Sequence, residues 1–384
     1  MSANTLTGLI PTIQVVADRV LREQVGFIPA VHLNPSAEQA AKDQSITYPI
    51  VPTMSAADIT PAAVPTEPTG QSFTYGTMTI SKSRKVQFHW SGEEEASVAG
   101  QHENIKMSQM AQAFRTLVNE IESDLFTAAK QGASRAYGTA GTTPFSTAAD
   151  LSDLAQTRKI LVDNGAWVDG EMSIVLNSSS GANLRGKQSS LFKVNEAGDD
   201  AVLRDARLTR LEGFNIQESG QISAHTIGTG SGYLINLTAG YAAGSTSFVL
   251  DTGSGTILAG DILTNTKTSR DTNKYVVGSA LAANAVGLNK PGNKIAWVNN
   301  DPVAVGASYT GNFAFERNAI HLLTRTPKLP KEGSLGEHTV ITDAFSGISF
   351  LVSMYPAYHE IIFEVAVCWG VKAVKSEAIV TLLG

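Results

Sequence analysis

The chain has 384 residues, 42% of them apolar and 17% charged, enough for one large or two medium hydrophobic cores but with fewer charges than most soluble domains carry. A net charge of -6 and the lack of a basic run argue against a protein that grips nucleic acid through its phosphates, so a DNA partner would be enclosed without sequence-specific binding. The single cysteine, Cys368, excludes an intrachain disulfide, and neither a signal-peptide pattern nor an apolar run of 18 residues predicts secretion or a membrane span.

The first 25 residues have the apolar spacing of an amphipathic helix. Apolar side chains recur every three or four positions, among them Ile13, Val16 and Val20. Gly26 is the kind of residue that ends such a helix. Because little in the polar stretch that follows could bury this apolar stripe, residues 1–42 are predicted to form an arm that packs against a neighbouring chain.

Residues 44–72 contain five prolines and almost no helix signal, and long irregular segments of this kind are usually functional or mobile. Two runs of alternating apolar residues follow, whose large side chains are Phe73, Tyr75, Phe88 and Trp90. The residues that join the two runs include the cations Lys82, Arg84 and Lys85. This pattern predicts a β-hairpin over residues 73–90 with a basic tip. An isolated hairpin is marginal in water, so it must lean on its own core or on a neighbouring subunit.

Three consecutive acidic residues follow the second run: Glu93, Glu94 and Glu95. Adjacent side chains cannot all face one catalytic site, so a solvated acidic surface is the default interpretation. The sequence also leaves open a pairing in which the basic tip of one chain meets an acidic patch of another. Exposed ion pairs contribute only ~0.2–1 kcal/mol each, so they would set the register of such a contact more than its strength.

Two helices and two short strands are predicted next. Apolar residues repeat at three and four over residues 104–130, which indicates a helix of about six turns. A second helix is predicted over residues 148–164 by the same spacing. Residues 172–176 and 214–217 are apolar enough to form buried strands.

Residues 226–308 differ in character from the sequence around them. Glycine and threonine become frequent, charge falls, and short alternating runs are separated by turn residues at intervals of roughly ten. This pattern predicts a small β-barrel or sandwich, inserted into the surrounding domain. Longer strands then return over residues 317–326, 348–354, 361–369 and 378–383.

The sequence contains no catalytic, cofactor-binding or metal-binding motif. Glycine-rich phosphate loops and the nucleophile elbow are absent, and Gly228, Gly230 and Gly232 lie in a Thr/Ser-rich linker. The seven histidines are scattered singly, without the spacing of a zinc site. We therefore expect a protein that is not an enzyme and that has no cofactor.

The order of these parts resembles the tailed-bacteriophage major capsid protein of the Hong Kong 97 phage type, a fold that encapsulins share. Within it, the chain is most similar to the coat proteins of the Salmonella-type short-tailed phages, which carry a β-barrel insertion at a similar place. The stretches that carry this resemblance are residues 208–214, 313–320, 369–373 and 377–379. The resemblance covers nearly the whole chain in organisation, and none of its motifs is catalytic.

The resemblance implies six parts and an α+β fold class: the phage major capsid fold with an inserted small all-β domain. The parts are an N-terminal arm (1–42), an extended loop (43–97), a peripheral domain with a spine helix (98–140), an axial domain (141–225), an inserted β-barrel-like domain (226–308) and returning strands shared by the peripheral and axial domains (309–384).

A structural role follows from the same resemblance. It implies a capsid protein that self-assembles through hexamers and pentamers into an icosahedral head around double-stranded DNA. It further implies a scaffolding protein, a portal, a location in the virion shell and assembly in the cytoplasm of the host bacterium. The N-terminal helix would pack against a neighbour or refold as the shell expands. The candidate contact residues between subunits are Ile13, Val16, Val20, Phe73, Tyr75, Lys82, Arg84, Lys85, Phe88, Trp90, Glu93, Glu94 and Glu95.

Other classes remain open. An encapsulin-like compartment uses the same fold without DNA and binds a cargo peptide on its inner face, although the inserted domain and the C-terminal resemblance favour a phage. A β-rich adhesin or tail protein is suggested by residues 226–308, but the helix over residues 104–130 argues against repeated tail modules. An enzyme would need a site assembled from residues far apart in the sequence.

Overall fold

The computed structural model describes residues 20–51, 72–98, 102–188, 210–267, 271–330 and 335–384, with a few single positions between 51 and 72. The helices in these ranges are α1 (Phe27–Ala30), α2 (Gly92–Ser97), α3 (His102–Gly132), α4 (Ser152–Asp163) and α5 (Ser178–Lys187). The strands of the first part are β1 (His32–Ala40), β2 (Ser45–Ile50), β3 (Thr74–Thr79), β4 (Lys82–Ser91), β5 (Arg135–Tyr137), β6 (Met172–Leu176), β7 (Arg210–Leu211), β8 (Phe214–Glu218) and β9 (Ala224–His225). Those of the second part are β10 (Tyr233–Ile235), β11 (Ser247–Asp251), β12 (Ile262–Asn265), β13 (Lys274–Ala282), β14 (Ala285–Leu288), β15 (Pro302–Val305), β16 (Tyr309–Glu316), β17 (Ile320–Pro327), β18 (Glu337–Thr342), β19 (Ser349–Ala357), β20 (Glu360–Ala373) and β21 (Ile379–Leu383).

The long helix predicted from the apolar spacing is confirmed. α3 has 31 residues, which corresponds to about 46 Å at 1.5 Å per residue. Its buried face consists of Ala113, Leu117, Val118, Ile121, Glu122, Leu125, Phe126 and Ala129. The helix ends at Gly132, where a Cβ would lie 2.3 Å from the Cβ of Ala373. α3 is therefore the central support on which both of the large sheets pack.

The first sheet lies across one side of α3. Its strand order is β1-β17-β20-β19-β18, and β4 pairs with the opposite edge of β20. The face of β20 toward the helix carries four buried side chains: Phe363, Val365, Val367 and Trp369. The Trp369 indole N–H donates to Asp124 Oδ2 on α3 at 2.8 Å. The longest described strand, β20, is thus fixed on the longest described helix, α3.

The prediction of a β-hairpin over residues 73–90 is wrong. Both strands exist, as β3 and β4, but β3 pairs with β2 and β4 pairs with β20. The chain passes from one pairing to the other at Ser81, whose N–H donates to the Trp369 carbonyl at 3.0 Å. Alternation determines which side chains share a face of a strand, but it does not determine which strand lies alongside. The partner of β4 is β20, which lies near the other end of the chain.

The second sheet is built around β16. This strand pairs in antiparallel fashion with β21, β6 and β9, while β8 joins β6 in parallel and β5 joins β21 in parallel. α4 covers this sheet with Leu154 and Leu161, in a core that also contains Phe214. α4 begins at Ser152 and not at residue 148 as predicted, because Ala149 has a left-handed backbone (φ 56°) that a helix does not accept.

The segment predicted as a small β domain closes on itself. Its strands pair in the cyclic order β12-β15-β10-β11-β14-β13 and back to β12. The interior is filled mainly by Tyr233, Ile235, Phe248, Leu250, Leu263, Tyr275, Val277, Val286, Leu288 and Trp297. We call this six-stranded ring the barrel. It joins the second sheet through two residue pairs between β13 and β5.

The prediction of a separate N-terminal arm over residues 1–42 is wrong for the part that the structure describes, from residue 20 onward. Residues 20–26 are not helical, whereas the helix over 1–19, with Ile13 and Val16, lies outside the described residues. Phe27, Ile28 and Val31 are buried in the main core, and β1 then pairs in parallel with β17. From residue 20 onward the predicted arm is part of the subunit body. The sequence did not show this because the covering elements, α3 and β16, lie far along the chain.

The predicted α+β class gave helices too large a share of the fold. About 22% of the described residues are helical and 40% lie in strands, so the described part of the protein is strongly β-rich around one long helix.

Candidate functional site

Many of the exposed large apolar side chains in the described residues lie on a two-stranded ribbon that is separate from both large sheets. We define the ribbon as β2, β3 and the described positions between them. Its strands pair from Ser45 with Thr79 to Ile50 with Thr74. Its exposed large apolar side chains are Ile46, Ile50, Val51, Met54, Ile59, Phe73 and Tyr75. A concentration of exposed apolar side chains on one element indicates an interaction site on a soluble protein.

The base of the ribbon is anchored to the first sheet. Met78 and Ile80 are buried together with Leu323 and Cys368. The Lys372 ammonium donates to the Thr77 carbonyl at 2.6 Å. Burial raises the pKa of the Cys368 thiol, which lies 3.1 Å from the Ser83 hydroxyl. The ribbon is thus fixed at one end and exposed at the other.

The four predicted aromatic contact residues divide into two pairs. Phe73 and Tyr75 are exposed on the ribbon, with Tyr75 at 69%. Phe88 instead stacks on Phe363 of its own chain, with ring centroids 5.2 Å apart. Trp90 is only 2% exposed, and its indole N–H donates to Gln109 on α3 at 2.7 Å. Trp90 is therefore a core residue of the subunit and has no surface to offer a neighbour.

The predicted basic tip is not a tip, and its charges have partners within the chain. Lys82 lies 2.9 Å from Asp124 and 3.2 Å from Glu120, both on α3. Burial lowers the Lys82 pKa, but hydrogen bonds to Asp124 and Glu120 outweigh this effect and raise it. Arg84 also pairs with Glu120, at 3.2 Å, and Lys85 lies 3.0 Å from Glu364. The acidic partners expected from another subunit are thus found on the chain's own helix and sheet.

The three consecutive glutamates form the first turn of α2. Glu94 closes a capping box with Ser91, whose N–H donates to the Glu94 carboxylate at 2.9 Å. The default interpretation as a solvated acidic surface agrees with the exposure of Glu93. A contact of Glu93, Glu94 or Glu95 with a neighbouring subunit stays a prediction.

The N-terminal segment from Val20 to Val31 is held by ionic contacts. Val20 is half-buried and not helical. Arg22 contacts both carboxylate oxygens of Asp343, at 2.7 and 2.8 Å. Glu23 accepts hydrogen bonds from Arg115 and Asn119 on α3, and the Arg115 bond in particular lowers the Glu23 pKa to about 2.

A buried carboxylate caps the helix that follows. Glu122 Oε1 accepts from the N–H groups of Gly26 and Phe27 at 2.6 and 2.7 Å, and Oε2 accepts from Ile28 at 3.1 Å. Burial raises the Glu122 pKa against the effect of these three donors. Sequence reasoning missed this residue, although an acidic residue inside the apolar stripe of α3 was a signal that it has buried partners.

The described residues hold no cluster of three or more His, Cys, Asp or Glu side chains that could bind a metal ion. None of the helices in the described ranges is long and apolar enough to cross a membrane.

The sequence matches no protein-family model, and no curated protein matches it. Solved structures do match over nearly the whole chain. A chain from Mycobacterium phage Che8 is 14% identical, covers 98% of both chains and has a TM-score of 0.51. A chain from the capsid structure of the cyanophage P-SCSP1u is 10% identical, covers 99% of this chain and 92% of its own, and also has a TM-score of 0.51.

These similarities define a fold class. At such low identity they establish the shared fold alone. The fold of this chain is thus similar, over 98–99% of its length, to that of two phage chains, one of them from a capsid structure.

Proposed function

We propose that this protein is a major capsid protein, a structural subunit that self-assembles into the icosahedral head of a tailed phage around double-stranded DNA. The exposed apolar ribbon is the observation that carries the proposal. Side chains such as Ile59, at 93% exposure, are left uncovered by the subunit's own fold. Apolar burial stabilises by about 25 cal/mol per Å², so covering the ribbon with another copy supplies a driving force for assembly.

We further propose the Hong Kong 97 layout for this fold. The support is the arrangement of its parts: α3 in the place of the spine helix, the first sheet as the peripheral domain, and the second sheet around β16 as the axial domain. The barrel lies in sequence between β9 and β16, which is similar to the insertion of the Salmonella-type coat proteins. The domain boundaries and the relation to that subgroup are part of the proposal.

The partners proposed are identical coat subunits in hexamers and pentamers, with a scaffolding protein and a portal. Contacts that repeat between nonequivalent surfaces close into a shell when their rotations permit. The extended ribbon suits such contacts because it offers strand edges and apolar side chains to a neighbour. DNA would be enclosed by this shell, and no catalytic role is proposed for the protein.

Electron microscopy of the overexpressed protein tests this proposal. We expect closed shells of uniform size, produced alone or with a scaffolding protein. A variant with Met54→Ser, Ile59→Ser and Tyr75→Ser should stay folded but form few shells, because its ribbon has lost the apolar surface. The matched control is Val162→Ser with Val168→Ser, two exposed apolar residues outside the ribbon, which should assemble normally. Normal shells from the ribbon variant, or no closed particles from the parent protein, would contradict the proposal.

A further inference from the structure

A groove lies where the N-terminal segment meets the turn between β18 and β19. It has a volume of about 260 Å³. Six of its nine lining residues are apolar: Val25, Ile28, Pro29, Val31, Leu33 and Phe345. Ile28 and Val31 are buried beneath the surface, and Gln24, Arg317 and Ser346 make the rest of the lining polar. Phe345 is 54% exposed, so its ring forms an open apolar rim.

The groove is held in shape by the ionic contacts of the N-terminal segment. Asp343 accepts from Arg22 and also from the N–H and the hydroxyl of Ser346, at 3.1 and 2.7 Å. The Arg22 guanidinium lies 5.5 Å from the centre of the Phe345 ring. Because Arg22 is neutralised by Asp343, it contributes packing and not free charge to the groove.

One cation of the groove, Arg317, has no acidic partner among the described residues. Arg317 lines the groove and its side chain is exposed. Among the residues that the structure describes, no carboxylate forms an ion pair with it. A groove that combines apolar side chains with one such cation suits an apolar segment that carries a single carboxylate.

The ribbon has this composition. Between residues 44 and 81 the only charged residues are Asp58 and Glu67, both acidic. Asp58 is exposed and is followed by Ile59, the ribbon's most exposed apolar side chain. Because Ile59 is 93% exposed, the ribbon does not occupy the groove of its own chain.

We propose that this groove receives the ribbon of a second copy, with Ile59 against the apolar wall and the Asp58 carboxylate on Arg317. This inference rests on the proposed shell-forming function and names the surface that the ribbon contacts. It gives the N-terminal segment a second role, because the segment forms one wall of the docking site for a neighbour.

A charge exchange tests the ionic part of the proposal. Arg317→Glu and Asp58→Arg should each lower the yield of closed shells, by roughly tenfold or more because the contact repeats at every subunit. The double variant should restore shells, since the two charges are exchanged. Lys159→Glu, which changes an exposed lysine on α4, is the matched control and should assemble normally. A double variant no better than the single variants would overturn the pairing.

Cross-linking tests the location. A photoreactive benzoylphenylalanine placed at Ile59 should give a product of twice the subunit mass in purified shells. Peptide mapping should find the cross-link within residues 22–33 or 343–349. Shells that form but cross-link elsewhere would refute this docking site and leave the capsid function intact. Absence of any closed shells from the parent protein would instead refute the capsid function.

Discussion

At the scale of single residues, the N-terminal segment illustrates how charge holds an apolar segment in place. Phe27 is fully buried, but the turn that presents it needs its N–H groups satisfied, and Glu122 on α3 does this. Glu23 and Arg22 then tie the preceding residues to α3 and to Asp343. Leaving one of the buried N–H groups of this turn without the Glu122 carboxylate would cost about 1–3 kcal/mol. The partly exposed ion pairs of Glu23 and Arg22 act with this contact to keep the segment on the body.

Acid should release this segment through Glu23. The Glu23 pKa is lowered from 4.5 to about 2 by Arg115. Its stabilising contribution is therefore present above pH 4.5 and is lost as the pH falls toward 2. We expect amide-exchange protection factors over Phe27–Val31 to drop in this window in the parent protein. Glu23→Gln should start from lower protection and lose less of it in this window. The loss that remains comes from Asp343, whose pKa is raised by burial but lowered overall by the hydrogen bonds from Arg22 and Ser346.

The comparison with Glu23→Gln is needed because Glu122 acts in the opposite sense. Burial raises the Glu122 pKa, so the contribution of Glu122 is fully present below the ordinary pKa and is lost as the pH rises through the raised value. The difference between the two proteins isolates Glu23. Parallel loss of protection in both proteins would show that Glu23 does not hold the segment.

At the scale of elements, Gly370 sets the position of the ribbon on β20. A Cβ at Gly370 would lie 2.2 Å from the carbonyl oxygen of Thr79 and 3.2 Å from the Cα of Ile80. Both are backbone atoms that cannot rotate away. Gly370→Ala should therefore lower the free energy of unfolding by about 1–3 kcal/mol, as overpacking usually does. Urea unfolding of the soluble subunit measures this change.

Gly186→Ala is the matched control for that substitution. Gly186 lies in α5 with no atom within 4 Å of the added Cβ. Alanine suits a helix better than glycine, so we expect a gain of about 0.5–1 kcal/mol. Opposite signs for the two Gly→Ala changes would support the close approach at Gly370, whereas equal effects would contradict it.

Elements with strong periodicity could be predicted from the sequence, and their partners could not. α3, β6, β8 and the C-terminal strands follow from apolar spacing, which is a local property. The pairing of β4 with β20 is decided by tertiary packing between distant parts of the chain, and proline obscured β2, the true partner of β3. The same limit applies to the candidate site: Tyr75 was found as an exposed aromatic residue, but Trp90, with the same local pattern, is buried.

At the scale of the whole molecule, the described N-terminal segment and the ribbon play different parts. The segment from residue 20 is covered within its own chain, so the subunit can complete its main core before assembly. The ribbon keeps an anchored base and an exposed apolar end. Assembly is thereby separated from folding, because the surface proposed to join subunits contributes little to the core of one subunit.

The barrel is a second part of the subunit, and we expect its folding to be separate from that of the main core. Its ring of strands is closed and has its own core, in which Trp297 and Tyr275 both donate to the buried carboxylate of Asp271, at 3.1 and 2.7 Å. Side-chain contacts with the rest of the chain are largely polar, such as Asn289 with the carbonyl of Ala133 at 2.7 Å and Lys294 with the carbonyl of Asp163 at 3.1 Å. Water can replace contacts of this kind when the barrel is removed.

We therefore expect residues 226–308 to fold when they are expressed alone. Two barrel residues, Ile262 and Val276, pack into the main core of the subunit, so excision exposes them and should lower stability without unfolding the ring. Ile262→Thr with Val276→Thr should improve the solubility of the excised barrel, because both remain β-branched. Well-dispersed amide resonances in the NMR spectrum, lost on Trp297→Ala, would demonstrate an independent core. A collapsed spectrum from both excised forms would show instead that the barrel needs the second sheet, and that its pairing of β13 with β5 is a requirement for folding and not only a junction.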